Sequence, residues 1–505
     1  MNPHRALAAE RDLPLFDVAA TRRIEQRALA SLAPGTLMQR AGLALAQLAL
    51  AIAPHARRIV VAAGPGNNGG DGLEAAAMLR GWGKEVQVWL AAAAADLTGD
   101  AAMAHHWAIA AGVPIAQGAI PSDLALDRDD LAIDALLGIG ANRSPEGAVA
   151  AAITALNQLA CPVLAVDVPS GLNPDTGQPL GTGCVVAQHT LTMLSLKPGL
   201  FTASGRDHAG DVWLAALDVS APAEEASAWL VGPRAGQPQR RHAAHKGTFG
   251  DVAVIGGAQG MAGAALLAAR AAHAAGAGRV LLQCLDAATA TFDGVRPELM
   301  LRPRWLEESS PQALAASTVV CGCGGGAAVR DVLPRVLSRA GRLVLDADAL
   351  NAVSGDPMLQ ALLQGRAGAG LWTVLTPHPL EAARLLGCAR QAVQSDRLGT
   401  AQRLARQFQS VVALKGSGTV IVRPDSLPFV NPTGNASLAS AGTGDVLAGW
   451  LGGVWSQASD ASTVEGAFNA AIRSVWQHGR AADLAERHVM RAGDLIEALA
   501  ALPSR

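Results

Sequence analysis

The sequence predicts an α/β fold in two successive parts, each a mostly parallel, doubly wound sheet covered by helices. Three observations carry that expectation. Short apolar runs alternate with longer Ala-rich stretches of helical spacing in both halves, and glycine-rich turns follow directly on several of the runs. An irregular Pro- and Gly-bearing segment, residues 221–243, separates a first domain at 1–220 from a second at 244–505. A chain of 505 residues also exceeds what one core ordinarily serves.

The bulk composition narrows the function classes. Hydrophobic residues make up 50% and charged residues only 16%, which suits packed cores and argues against disorder. With a formal net charge of −2 and no basic block longer than Arg240-Arg241, broad electrostatic binding to nucleic acid or to a membrane surface is not expected. No apolar run reaches the roughly 18 residues of a membrane span, and Met1 to Phe16 lacks a signal-peptide core, so a soluble cytoplasmic protein is expected. The six cysteines lie in apolar contexts and read as reduced core thiols.

Taken in order, residues 17 to 53 carry helical periodicity, and Arg57 to Ala63 reads as a short buried strand. The strand delivers Gly64-Pro-Gly-Asn67-Asn68-Gly69-Gly70-Asp71-Gly72, after which Leu73 to Arg80 is helical. A strand, a glycine loop and a helix in that order present backbone amides to a phosphate. The loop is not a dinucleotide G-x-G-x-x-G followed by a distant acid, nor a Walker loop, since no Lys follows, and the amides and carboxylate inside it suit sugar hydroxyls or an ion as well. Further strands are expected at Glu85 to Leu90, Leu131 to Asp134 and Val163 to Asp167. The last two run into Asp134 to Ser144 and Asp167-Val-Pro-Ser170-Gly171, so Asp134, Asp167 and the Asn67 loop should converge at the carboxyl edge of one sheet.

The second half repeats the alternation, with strands at Asp251 to Ile255, Arg279 to Gln283, Thr318 to Cys321, Arg342 to Asp346 and Trp372 to Leu375. Thr376-Pro-His378-Pro-Leu-Glu381 opens a helix, and Val411 to Val422 reads as a β-hairpin whose turn, Lys415-Gly416-Ser417-Gly418-Thr419, suits a nucleotide phosphate. In Asn431 to Gly449 small residues run up to Thr443 and a helix follows, so Gly442 and Gly444 belong to the turn that opens it. Such a helix start attracts anions. A carboxylate there, Asp445, would repel a phosphate unless it serves to take a proton.

These two glycine-rich sites, with the order of strands around them, resemble the bifunctional NAD(P)H-hydrate repair enzyme family, an epimerase domain followed by an ADP-dependent dehydratase domain. The resemblance runs from about Asp17 to Leu499: Gly64 to Gly72 is similar to the epimerase N-N-G-G-D loop, and Val166 to Gly171 to its V-D-x-P-S-G. It implies a Rossmann-like three-layer α/β/α first domain and a ribokinase-like second one. By that resemblance Asn67, Asn68, Gly69, Gly70, Asp71, Gly138, Ile139, Gly140, Ala141, Asn142, Arg143, Ser144 and Asp167 contact the hydrated dinucleotide. Asn68, Asp134 and Ser170 would hold a potassium ion. In the second domain the substrate contacts fall on Ala264, Gly326, His378 and Asp445, and those to ADP or AMP on Lys415, Gly416, Ser417, Gly418, Thr419 and Gly444. Mg2+ is expected with ADP. The chain departs from the family at Cys323, usually Pro, and at Leu380, usually Gly.

The implied activity is repair of hydrated NADH and NADPH, with Asp167 as acid/base of the epimerase and Asp445 as base of the dehydratase. The partners expected are these hydrates and ADP, with no nucleic acid, no membrane and a homo-oligomeric assembly. The rival reading is a vitamin or sugar kinase of the ribokinase superfamily with an N-terminal nucleotide-binding domain. Such kinases commonly read T-P-N-x-x-E where this chain has His378.

Overall fold

The computed structural model describes residues 3–503 except 119, 122, 123, 125, 235–239, 287 and 289–291. The chain divides into two compact units, Met1–Gly232 and Pro233–Arg505.

In the first unit the strands lie in the order His4–Arg5, Asp211–Ala215, His189–Met193, Val163–Val166, Leu131–Ala135, Arg58–Ala63, Glu85–Leu90, Ile115–Gln117. All pairings are parallel except that of His4–Arg5. After the edge strand His4–Arg5 the chain enters the middle at Arg58–Ala63, builds outward to one edge, then returns to Leu131–Ala135 and builds toward the other. Strand order therefore reverses between Arg58–Ala63 and Leu131–Ala135, and this is the crevice where Rossmann-like sheets take ligands. One core face packs under the helices Thr36–Ile52 and Asn67–Gly81, the other under Gly147–Leu156.

The linker expectation needs correction. Residues 235–239 lie outside the described residues, but Ala228–Leu230 is a strand paired antiparallel with Leu13–Leu15, and Gly232 N donates to Asp12 Oδ1 at 2.7 Å. A pairing between residues so distant in sequence leaves no local mark, so the Pro- and Glu-bearing approach to it reads as irregular.

The glycine loop is corrected too. The helix starts at Asn67, six residues earlier than expected, with Gly66 as its N-cap. A Cβ on Gly69 would lie 2.0 Å from the Gly64 carbonyl, so the first helical turn packs directly on the strand's exit. Glycine marks close approach here, where the sequence reading took it for a loop.

The same helix buries Glu74, only 5% exposed, with its Oε2 lacking any hydrogen-bond partner among the described residues. Burial first, and Asp100 second, raise its pKa to about 7. A carboxyl with a raised folded pKa favours the fold when protonated, and that contribution fades as pH rises through about 7. Glu74→Gln should thus gain stability relative to the native chain between pH 5 and pH 8, by about 1–3 kcal/mol. Denaturant midpoints at the two pH values check this, and a pH-independent difference rejects it.

The second unit's strands run Met300–Leu301, Arg279–Cys284, Asp251–Gly256, Thr318–Cys321, Arg342–Leu345, Trp372–Leu375, Val411–Leu414, Val420–Val422, Phe429–Val430. They are parallel up to Val411–Leu414 and antiparallel beyond. Order reverses again, between Asp251–Gly256 and Thr318–Cys321. The helix Thr443–Ser456 begins at Gly442, whose φ of 87° is the left-handed region. Among the described residues no helix is long and apolar enough to cross a membrane.

Candidate active sites

At the reversal of the first sheet lies a cavity of about 710 Å³. Asn67, Asn68, Asp71, Asp167 and the whole run Gly138 to Ser144 line it, as the sequence led one to expect. Gly69 and Gly70 do not. They are buried against Gly64 and Met38, so their role in the structure is packing.

Asp167 follows the last residue of Val163–Val166 and takes a φ of 66°, a conformation that Asp tolerates better than most side chains. Its Oδ2 accepts from Ile139 N at 3.2 Å and its Oδ1 from Met193 N at 3.3 Å. The strongest contact is one the sequence did not disclose. Lys197 Nζ, fully buried, donates to Asp167 Oδ1 at 2.5 Å, to Met193 O at 2.7 Å and to Thr192 Oγ1 at 2.9 Å. Glu25 also lines the cavity, from the helix Val18–Leu29. Charge type alone was the available signal for both, and an isolated Lys or Glu carries little of it.

Asp134 and Ser170 stand just below the cavity. Ser170 Oγ donates to Asp134 Oδ1 at 2.6 Å, Ser170 N to Asp134 Oδ2 at 2.8 Å, and Leu137 N to Ser170 Oγ at 2.8 Å. Asp134 is wholly buried, and burial pushes its pKa up to about 6 against the pull of the Ser170 bonds. In the cavity lining, the amide nitrogen of buried Asn68 has no partner among the described residues.

In the second unit Cys323 Sγ and one oxygen each of Asp346 and Asp445 lie within 4.8 Å of one another. Each follows a different strand or opens a helix, so only the sheet edge brings them together. Lys415 does not stand free at the hairpin turn, as a simple phosphate contact would. Its Nζ pairs with Asp346 Oδ1 at 2.5 Å, and Thr376 Oγ1 donates to the same oxygen at 2.8 Å. A Cβ on Gly444 would lie 3.5 Å from Lys415 Nζ, so the ammonium sits against the start of the Asp445 helix. Beneath the turn, buried Arg397 donates to the carbonyls of Leu414, Lys415 and Gly418, at 3.1, 3.2 and 3.5 Å, and fixes its shape. Gly416 and Ser417 are exposed at its tip, while Thr419 Oγ1 bonds back to Gly416 O at 3.2 Å.

Burial, with Asp346 adding to it, raises the Asp445 pKa to about 6, while Cys323 and Lys415 pull it down. His378 caps the helix Pro379–Leu386: its Nδ1 accepts from Leu380 N and Glu381 N at 3.1 and 3.2 Å, and its Nε2 lies 3.2 Å from Glu381 Oε1. Burial and then Lys415 lower its pKa, as suits a ring that accepts two amide bonds. Both ring nitrogens are thus engaged, which leaves a ring face or edge for any ligand. Ala264 lies in the first turn of Ala262–Ala274, and Gly326 N donates to Asp348 Oδ2 at 2.9 Å.

Two family models match the chain, one described as YjeF-related protein N-terminus over residues 34–199 and one as NAD(P)H-hydrate dehydratase over 252–503. The bifunctional NAD(P)H-hydrate repair enzyme Nnr of Escherichia coli (strain K12) is 36% identical over 464 residues, 89% of this chain and 84% of that protein. Its namesake in Coxiella burnetii is 36% identical over 483 residues, 93% of this chain and 94% of that protein. A crystal structure of the ADP/ATP-dependent NAD(P)H-hydrate dehydratase from Bacillus subtilis, co-crystallised with ATP/Mg2+, is 29% identical. It covers 52% of this chain and 92% of that chain, with a TM-score of 0.41.

Proposed function

Since the chain belongs to the family of bifunctional NAD(P)H-hydrate repair enzymes, epimerising hydrated NAD(P)H and dehydrating it with ADP, we propose that its two units divide those reactions between the two sites described. One observation supports the division. Each unit gathers its own acid groups at the carboxyl edge of its own parallel sheet, where such sheets take ligands.

The cavity at Asp167 takes the hydrated nicotinamide, with Asn67, Asn68 and the Gly138 to Ser144 run along the dinucleotide. Asp134 fits a monovalent cation. It is a wholly buried carboxylate whose hydrogen bonds come from neutral donors. Asn68, Asp134 and Ser170 would hold K+, which supplies the charge that Asp134 lacks.

In the second unit ADP lies on the Lys415 to Thr419 turn and the Gly444 helix start, and Asp445 accepts the proton of the substrate's C6 hydroxyl. That oxygen forms a bond to the β-phosphorus while the bond to AMP breaks. Phosphate then leaves C6 with its electron pair, the N1 lone pair assists, and loss of a C5 proton restores the dihydropyridine. Asp346 and Asp445 offer carboxylate oxygens that would hold Mg2+, which would neutralise phosphate charge when bound. Lys415, tied to Asp346, places its ammonium against Gly444 and so beside the transferring group.

The full chain, given a mixture of R and S NADH-hydrate with ADP, Mg2+ and K+, should return all of the dihydropyridine absorbance with one AMP and one phosphate per NADH. Accumulation of a stable phosphorylated product without that absorbance would instead support the kinase reading.

A further inference from the structure

Besides Glu146, three carboxyl groups and one buried ammonium line the cavity of the first unit. Glu25 enters from Val18–Leu29, Asp71 from the second turn of Asn67–Gly81 and Asp167 from the end of its strand, with Lys197 behind it. The four do not play equal parts. Lys197 spends its donors on Asp167, Thr192 and Met193, and both Asp167 oxygens are hydrogen-bonded. Asp167 is therefore an anchored carboxylate with its own cation, poorly placed to swing toward a proton. Asp71 is the opposite case. It lines the cavity, and its carboxyl group makes no hydrogen bond or ion pair with any described residue.

We propose that Asp71 is the group that carries the proton in epimerisation, while Asp167, positioned by Lys197, stays a fixed anion beside the cationic intermediate. This rests on the reading of the cavity as the epimerase site. Asp71, protonated at the start, gives its proton to the C6 hydroxyl. The C6–O bond breaks with its electron pair, water departs, and the N1 lone pair forms N1=C6. Water then adds to either face of C6, the N1=C6 electrons return to N1, and the surplus proton goes back to the Asp71 carboxylate, relayed by the departed water when attack comes from the far face. An anchored anion is what the N1=C6 cation needs nearby, and a free acid is what the leaving hydroxyl needs. Consistent with this, burial and the charges of Asp167, Glu25 and Glu74 raise the Asp71 pKa well above the usual carboxylate range. The remaining charged groups facing the pocket include Arg22, Arg143 and Glu146.

The test uses the full chain and R hydrate, with the chain's own dehydratase reporting each S molecule formed. Asp71→Asn should lower the epimerisation kcat by ~10²-fold or more with KM changed less than about threefold, and Asp71→Glu should restore part of it. Glu25→Gln should lose less than about tenfold. A native kcat about twofold or more lower in D2O is also expected, and keeps the proposal testable if Asp71→Asn melts early. Asp71→Asn with near-native kcat, a loss confined to KM, or no solvent isotope effect in a chemistry-limited native enzyme would overturn it. A native chain that does not convert R hydrate at all would instead overturn the reading of the cavity.

Discussion

Asp445→Asn is expected to abolish ADP-dependent dehydration, with the rate falling ~10²-fold or more, while the fold and ADP binding persist. The substitution keeps the side chain's size at the start of Thr443–Ser456 and removes only the capacity to take a proton. Its neighbours explain why the effect should be large. Asp346 is already paired with Lys415 and bonded by Thr376, and the Cys323 thiol is buried with its pKa raised well above the ordinary value, so neither substitutes as a base at neutral pH. The native pH profile carries a second check. A base raised to about 6 works when ionised, so the dehydration rate should climb through about pH 6 and fall below it. Full turnover by the mutant, or a flat profile from pH 5 to 8, would remove Asp445 from the chemistry.

Asp167→Asn should stop the epimerase and leave the dehydratase intact. The left-handed backbone at φ 66° suits Asn as well as Asp, so the local fold has no reason to break. What changes is charge: Lys197, fully buried, keeps a hydrogen-bond acceptor but loses its counterion. On a mixture of R and S hydrate the time course should become biphasic. The S form is consumed at the native rate, and the R form then follows only as fast as it interconverts spontaneously. The fast phase should be native and the slow phase lower by ~10²-fold or more. Equal slowing of both phases would mean that Asp167 also serves the second unit's chemistry, against the division of labour proposed here.

Both glycine-rich sites were legible because their signals are local. Arg58–Ala63, Asn67 to Asp71 and Gly138 to Ser144 are contiguous runs in which apolar strand, small residues and helix follow one another, and the order of strands then implies which loops share an edge. The helix boundary was misplaced for the same reason. Glycine permits either a loop or a close-packed turn, and the Gly64 carbonyl that decides between them belongs to the packing.

By itself, then, the sequence determined two α/β units and the strand-end loops, with Asp167 and Asp445, that come together at the sheet edges. The tertiary structure alone decided which charged groups meet around those acids. Lys197 reaches Asp167 across 30 residues and Lys415 reaches Asp346 across 69, while Cys323 meets Asp445 only because separate strand and helix ends share an edge. It also decided that Ala228–Leu230 belongs with Leu13–Leu15 and not to a linker. The physical reason is common to all of these. Helical periodicity and glycine turns are written in neighbouring residues, whereas a buried charge acquires its counterion, and an edge strand its mate, only through which strands the fold sets side by side.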